Sequence, residues 1–159
     1  MFIFSCDQNK SADTSAGDNW QLFIDGYWIS NSDNVIKTLH QPTKHPDNPL
    51  IRGDDPWAQN PYCFGSVIYD EDESLFKLWY MSYNFGQAVE ERTPVLYATS
   101  PDGLQWTRPK LGLFEFQNST ENNIVLTNYG HHDLYSPSVI KDIAAIDPDR
   151  RYKMIWWDR

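Results

Sequence analysis

Short apolar runs separated by polar turns dominate the chain, and no window sustains a helical period with caps at its ends. Residues 22–29 place apolar runs on both sides of Asp25-Gly26, which predicts a hairpin. Residues 35–39 form a short β-branched run. Residues 67–69, 75–83 and 95–99 read as strands, and Asp102-Gly103 then turns the chain towards Trp106. Residues 124–127, 138–140 and 152–157 complete the series. Between them, residues 40–61 carry Pro42, Pro46, Pro49, Pro56 and Pro61, so this stretch is an extended connection. The predicted class is all-β.

The strands repeat. Ser66-Val67-Ile68-Tyr69-Asp70 returns as Ser138-Val139-Ile140-Lys141-Asp142, an offset of 72 residues. Phe76-Lys77-Leu78-Trp79-Tyr80 returns as Tyr152-Lys153-Met154-Ile155-Trp156, an offset of 76 residues. The four extra residues fall in residues 143–151, where Asp147-Pro148-Asp149 marks a turn. Each unit is a short strand, a turn and a strand apolar on both faces. The acidic turn of the first unit, residues 70–73, reads as solvated. A strand buried on both faces lies between stacked layers, so the unit needs neighbours. Radial stacking in a β-propeller meets that need. The Ser100-Pro101-Asp102-Gly103 hairpin lies between the copies, and Trp106 is placed to pack back across it.

Composition narrows the partners. The 159 residues carry 22 Asp and Glu against 13 Lys and Arg, a net charge of -9. That balance offers no basic footprint for phosphates, so no nucleic-acid partner is expected. No run of 18 apolar residues crosses a membrane as a helix. The aromatic share of 15% suits strands, blade packing and sugar stacking alike.

Two cysteines, Cys6 and Cys63, are too few for a disulfide framework, though a single pair between them stays open. Met1-Phe2-Ile3-Phe4-Ser5-Cys6 is apolar, ends in a small residue before cysteine, and is followed by a polar run. It resembles the end of a bacterial lipoprotein signal, which makes Cys6 a lipidation candidate and residues 1–19 a signal remnant and tether. A membrane enters only through that anchor. The expected location is the bacterial cell envelope, lipid-anchored or secreted.

From about residue 20 onwards the ordered series of segments resembles the five-bladed β-propeller glycoside hydrolases of the invertase, levansucrase and arabinanase type (glycosyl hydrolase family 32/43-like). The matching stretches are residues 22–25, 40–50, 66–83, 97–106, 122–126 and 150–154. The resemblance implies a funnel at the propeller axis, with carboxylates near the innermost strand of successive blades. Glycosidic cleavage needs one carboxyl to protonate the leaving oxygen and another to attack or activate water, with their pKa values pushed apart. The carry-over fails at two positions. Cys63 and Ser136 stand where the first two family aspartates are expected. The nearest acids are Asp54 and Asp55 before the first inner strand and Asp133 before the second. Asp55 and Asp133 are therefore the catalytic candidates; each also suits a turn or cap.

Trp57 and Tyr62, with Tyr135 nearby, fall in the expected funnel loops as sugar-stacking candidates or as core. His131 and His132 are candidates for sugar hydroxyls. The run His131-His132-Asp133 offers too few convergent ligands for a metal, because neighbours on an extended chain point to opposite sides. No metal and no cofactor are expected.

The resemblance implies a glycosidase that hydrolyses poly- or oligosaccharides. The missing aspartates favour the alternative, a non-catalytic propeller that binds glycan or protein. The glutamate expected on a third blade finds no place in the sequence. Residues 20–159 are accordingly expected to be the N-terminal blades of a truncated propeller, about two of five, and inactive alone.

Overall fold

The computed structural model describes residues 26–27, 29–127 and 133–158. The chain divides into two units, Met1–Pro42 and Thr43–Arg159. In the first, the described part holds a turn in which the Ile29 amide donates to the Gly26 carbonyl at 3.0 Å. The rest of the Leu22–Ile29 hairpin expectation lies outside the described residues, as does Cys6. Residues 35–39 form no strand, contrary to their β-branched pattern, and Ile36 is 91% exposed. A β-branched run becomes a strand only where a neighbour completes its ladder, and none of the described residues does so here.

The second unit is predominantly β, as the pattern predicts. Strands β1 (Pro61–Asp70), β2 (Leu75–Ser82), β3 (Val95–Ser100) and β4 (Ile124–Leu126) form one antiparallel sheet in that order. Strands β5 (Leu134–Lys141) and β6 (Tyr152–Asp158) form a second, two-stranded sheet. A four-residue helix, α1 (Val89–Arg92), and a 3-10 turn, Pro148–Arg150, interrupt the connections. Both are too short to leave a periodic signal.

The two repeat units are the hairpins β1–β2 and β5–β6. Ser66 pairs with Trp79 and Asp70 with Leu75 in the first; Ser138 pairs with Ile155 and Lys141 with Tyr152 in the second. Both first strands break register near their start, between Tyr62 and Ser66 and between Tyr135 and Ser138. At the first break Gly65 is needed sterically, since a Cβ there would sit 1.8 Å from the Trp79 carbonyl oxygen. The break is a bulge-type irregularity that bends the strand.

β2 is buried on both faces. Leu78 and Tyr80 point to a core with Leu96, Ala98 and Ile124, closed by Ala58 and Phe116 from the connecting loops. Met81 points the other way and joins Val95 and Leu134, with Met154 packed against them, between the sheets. Trp79 shares this second face, its ring 5.4 Å from the Tyr152 ring. The predicted Asp102-Gly103 turn is present: Ser100 Oγ accepts from the Gly103 amide at 2.9 Å, and Gly103 takes φ +75°. Trp106 returns as expected, its indole N–H donating to the Gly103 carbonyl at 3.0 Å and its ring packing on the first core.

Candidate functional site

The two catalytic candidates stand in separate ion pairs. The loop before β1 places Asp55 against Arg108, whose Nη1 donates to Asp55 Oδ2 at 2.6 Å. The same guanidinium reaches Asp54 Oδ1 through Nη2 at 2.7 Å and holds that carboxyl below its ordinary range. Around them lies a cleft of about 290 Å³ lined by Asp55, Trp57, Arg108, Lys110, Glu121 and the two asparagines Asn122 and Asn123. Its wall is fixed from behind. Trp57 Nε1 donates to Asn123 Oδ1 at 2.8 Å, and the Asn123 amide nitrogen donates to the Tyr97 carbonyl at 2.7 Å. Asn84, fully buried, donates to the Trp57 carbonyl at 3.0 Å and so holds that loop. Trp57 is half-buried, edge-on to Phe116 at 6.3 Å.

Asp133 immediately precedes β5, whose first residue, Leu134, donates its amide to Thr93 Oγ1 at 2.9 Å. Arg92 Nε donates to Asp133 Oδ1 at 2.6 Å, with the carboxylate side chain 18% exposed. Asp133 raises the Arg92 guanidinium above its ordinary value. The Tyr135 hydroxyl lies 3.4 Å from Asp133 Oδ2. Tyr62 packs edge-on to Phe64 and joins the core between the sheets, where burial pushes its phenol pKa up. Among the described residues no direct hydrogen bond or ion pair joins the Asp55 group to the Asp133 group. His131 and His132 lie outside the described residues.

Cys63 is an exposed free thiol inside the first register break. A small cleft of about 170 Å³ adjoins it, lined by Ile51, Pro61, Tyr62, Leu78 and Tyr80, with no carboxylate. Ser136, inside the second break, takes φ 50°, a left-handed conformation unusual for serine. Among the described residues no group of three His, Cys, Asp or Glu side chains is arranged to hold a metal.

The most concentrated ionic cluster is one that sequence reasoning misjudged. The turn after β1 reads as solvated, and residues 71–73 are exposed, yet Asp70 is 1% exposed. Lys77 Nζ meets Asp70 Oδ2 at 2.9 Å and Glu73 Oε1 at 2.6 Å. From the second sheet, Lys141 Nζ donates to Asp70 Oδ1, and the Tyr152 hydroxyl donates to Asp70 Oδ2. Lys141 also reaches Asp72 Oδ2 at 2.7 Å. Burial alone would raise the Asp70 pKa; the hydrogen bonds from Lys141, Lys77 and Tyr152 overcome it and keep the carboxyl well below the usual range. Burial likewise works against the Lys77 ammonium, and Asp70, Glu73 and Tyr152 more than offset it. Both oxygens of Asp70 are engaged by donors, two of them from the second sheet, so the knot ties the sheets together. The repeat carried the signal: Asp70 and Lys77 recur as Asp142 and Lys153, and Lys153 Nζ again pairs with Asp142 Oδ2. Two copies that keep an acid and a lysine across one hairpin point to a structural pair.

No protein-family model matches this chain, and no curated protein matches it.

Proposed function

We propose that this protein is a glycan-binding β-sheet protein of the glycoside hydrolase-like propeller type, and that the described residues hold a saccharide without cleaving it. The observation that carries this reading is the pairing of Asp55 with Arg108 and of Asp133 with Arg92, each at 2.6 Å. In each pair one carboxylate oxygen is taken up by an arginine N–H, which fixes the carboxylate as a hydrogen-bond acceptor for sugar hydroxyls and leaves it poorly placed to deliver a proton to a leaving oxygen. The Asp55 cleft combines such a pair with a tryptophan, giving charged hydrogen-bonding groups beside an apolar ring. Its volume of about 290 Å³ is at the small end of ligand sites.

Titration calorimetry with neutral oligosaccharides tests the reading. Binding is expected, with Arg108→Ala and Trp57→Ala each weakening it while Arg92→Ala does not. Saccharides that fail to bind at any accessible concentration overturn it.

The hydrolytic reading is favoured by one feature, the placement of Asp133 beside Tyr62 and Tyr135 at the start of β5. Release of reducing sugar that disappears in Asp133→Asn would replace binding by cleavage. The envelope location rests on residues 1–6, with Cys6 as the lipidated residue. Metabolic labelling with a fatty acid is expected to mark the chain and to vanish in Cys6→Ser.

A further inference from the structure

The outermost strands of the two sheets are β1, β4, β5 and β6, and the first three are poor templates for a further strand. β4 is only three residues long. β1 opens with Pro61 and breaks register around Gly65. β5 carries Pro137, holds Ser136 at φ 50°, and directs its Val139 amide to Ser66 Oγ at 2.8 Å. Short strands, prolines, bulges and occupied amides all keep a sheet edge from pairing.

β6 has none of these devices. It runs seven residues, Tyr152–Asp158, without proline or glycine. The extra residue of its register break with β5 lies on the β5 side. Among the described residues only β5 pairs with it. Its outer face is apolar and open, with Ile155 76% exposed and Trp157 60%. Ile140, opposite Lys153 on that face, is 61% exposed. Large adjacent apolar side chains of this kind mark an interaction surface.

The backbone fixes which groups remain to be paired. The Asp142 amide donates to the Arg151 carbonyl at 2.7 Å, whereas the Val139 amide leaves the hairpin for Ser66. Opposite residues of an antiparallel pair alternate between bonded and unbonded. Ile140–Lys153 and Ser138–Ile155 are therefore bonded pairs, and Lys141–Tyr152 and Val139–Met154 are not. The amides and carbonyls of Tyr152, Met154, Trp156 and Asp158 consequently project from the free edge of β6.

We propose that β6 is the interface of a two-fold symmetric dimer, in which it pairs antiparallel with β6 of a second copy of this chain. The strand is its own complement. Opposite residues share a face of the sheet, so the two-fold axis must pass beside a residue. Centred on Ile155, it sets Tyr152 opposite Asp158 and Met154 opposite Trp156 of the second copy, and every projecting amide and carbonyl gains a partner. Centring one residue either way leaves Tyr152 or Asp158 without one. The two Ile155 side chains then meet on the outer face. Each Lys153 lies opposite Trp157 of the second copy, with its ammonium in reach of the indole face. The axis joins the one edge that lacks protection to itself, so association closes at two copies.

The test uses the full chain carrying Cys6→Ser and Cys63→Ser, which removes its own thiols. Sedimentation equilibrium is expected to give twice the mass of one chain. Ile155→Cys in that background should join two copies by a disulfide under mild oxidation. Opposite residues of an unbonded pair lie about 4.5 Å apart at Cα, within the disulfide range of about 4.4–6.8 Å. Lys153→Cys should not do so, since its own copy lies about 13 Å away along the strand. Trp156→Pro removes an amide of the free edge and leaves the β5 ladder intact. It should return the mass to that of one chain with the circular dichroism unchanged. Where that variant fails to fold, the contrast between the two cysteines decides. A chain that stays monomeric at every accessible concentration overturns the proposal. Equal disulfide yields at positions 153 and 155 overturn it, as does growth beyond two copies. So does a folded Trp156→Pro chain that remains dimeric, because the contact is then a face and not an edge.

Discussion

The same acid and lysine occur in both hairpins, and their surroundings make them different objects. Asp70 and Lys77 lie under the second sheet, with Lys141 and Tyr152 completing the shell. Asp142 and Lys153 form the same cross-strand pair with the lysine largely in water. Lys153 holds the Asp142 carboxyl below its usual range, helped by the Ala144 amide. A motif does not carry its energy with it. A surface ion pair is worth little, whereas a buried one is costly to break because the surviving charge has no water.

The largest expected effect is therefore at Asp70. Asp70→Ala strips Lys77 of its buried carboxylate, leaving only the exposed Glu73 as ionic partner, and should cost about 3–5 kcal/mol in urea unfolding. A loss well under that range would mean that water reaches Lys77 and that the knot is weaker than its burial implies. Tyr152→Phe removes the hydroxyl that donates to Asp70 and accepts from Lys77 at 2.9 Å, and should cost about 1.5–3 kcal/mol in the same measurement. The smallest effect is expected at Asp142→Asn, whose unfolding midpoint should stay close to that of the unchanged chain. Equal losses at Asp70 and Asp142 would erase the distinction between the two hairpins.

Acid and base sharpen it further. A carboxyl held below its unfolded value, about 3.9 for aspartate, stabilises the fold above that pH and loses the contribution as pH falls towards the folded value. A lysine held above its unfolded value, about 10.4, contributes fully below that pH and loses the contribution as pH rises through the folded value. With Asp70 lowered and Lys77 raised, the knot holds across the whole neutral range and weakens at both extremes. Unfolding midpoints followed from pH 5 to pH 2 should fall less steeply in Asp70→Asn than in the unchanged chain, because the variant has no such carboxylate left to protonate.

Much of the fold is legible in the sequence because its strands alternate or are apolar on both faces. β2 reads clearly since Leu78, Trp79, Tyr80 and Met81 leave no polar side, and the structure buries all four. The Asp102-Gly103 turn reads clearly because its positive φ needs glycine. Residues 35–39 mislead, since a β-branched run states a preference and the ladder depends on a neighbour the run cannot specify. The candidate site is less legible. Position along the chain makes Asp55 and Asp133 candidates as the acids nearest the inner strands, but it does not show their partners: Arg108 is 53 residues from Asp55 and Arg92 is 41 from Asp133. Such partners are invisible until the chain folds. Asp70 misled for the same reason, its burial being imposed by Lys141 and Tyr152.

The knot also has a history within each molecule. Asp70 and Lys141 stand 71 residues apart. At about 5–20 residues per second, a ribosome takes roughly 4–14 s to cover that distance. Through that interval the newborn first hairpin shows its acid, its lysine, Trp79 and Met81 to the surroundings, just as the second hairpin does afterwards. The first sheet is sticky until the second arrives. Slow translation between residues 83 and 133 would lengthen the period in which chaperones, or other nascent chains, can claim that face.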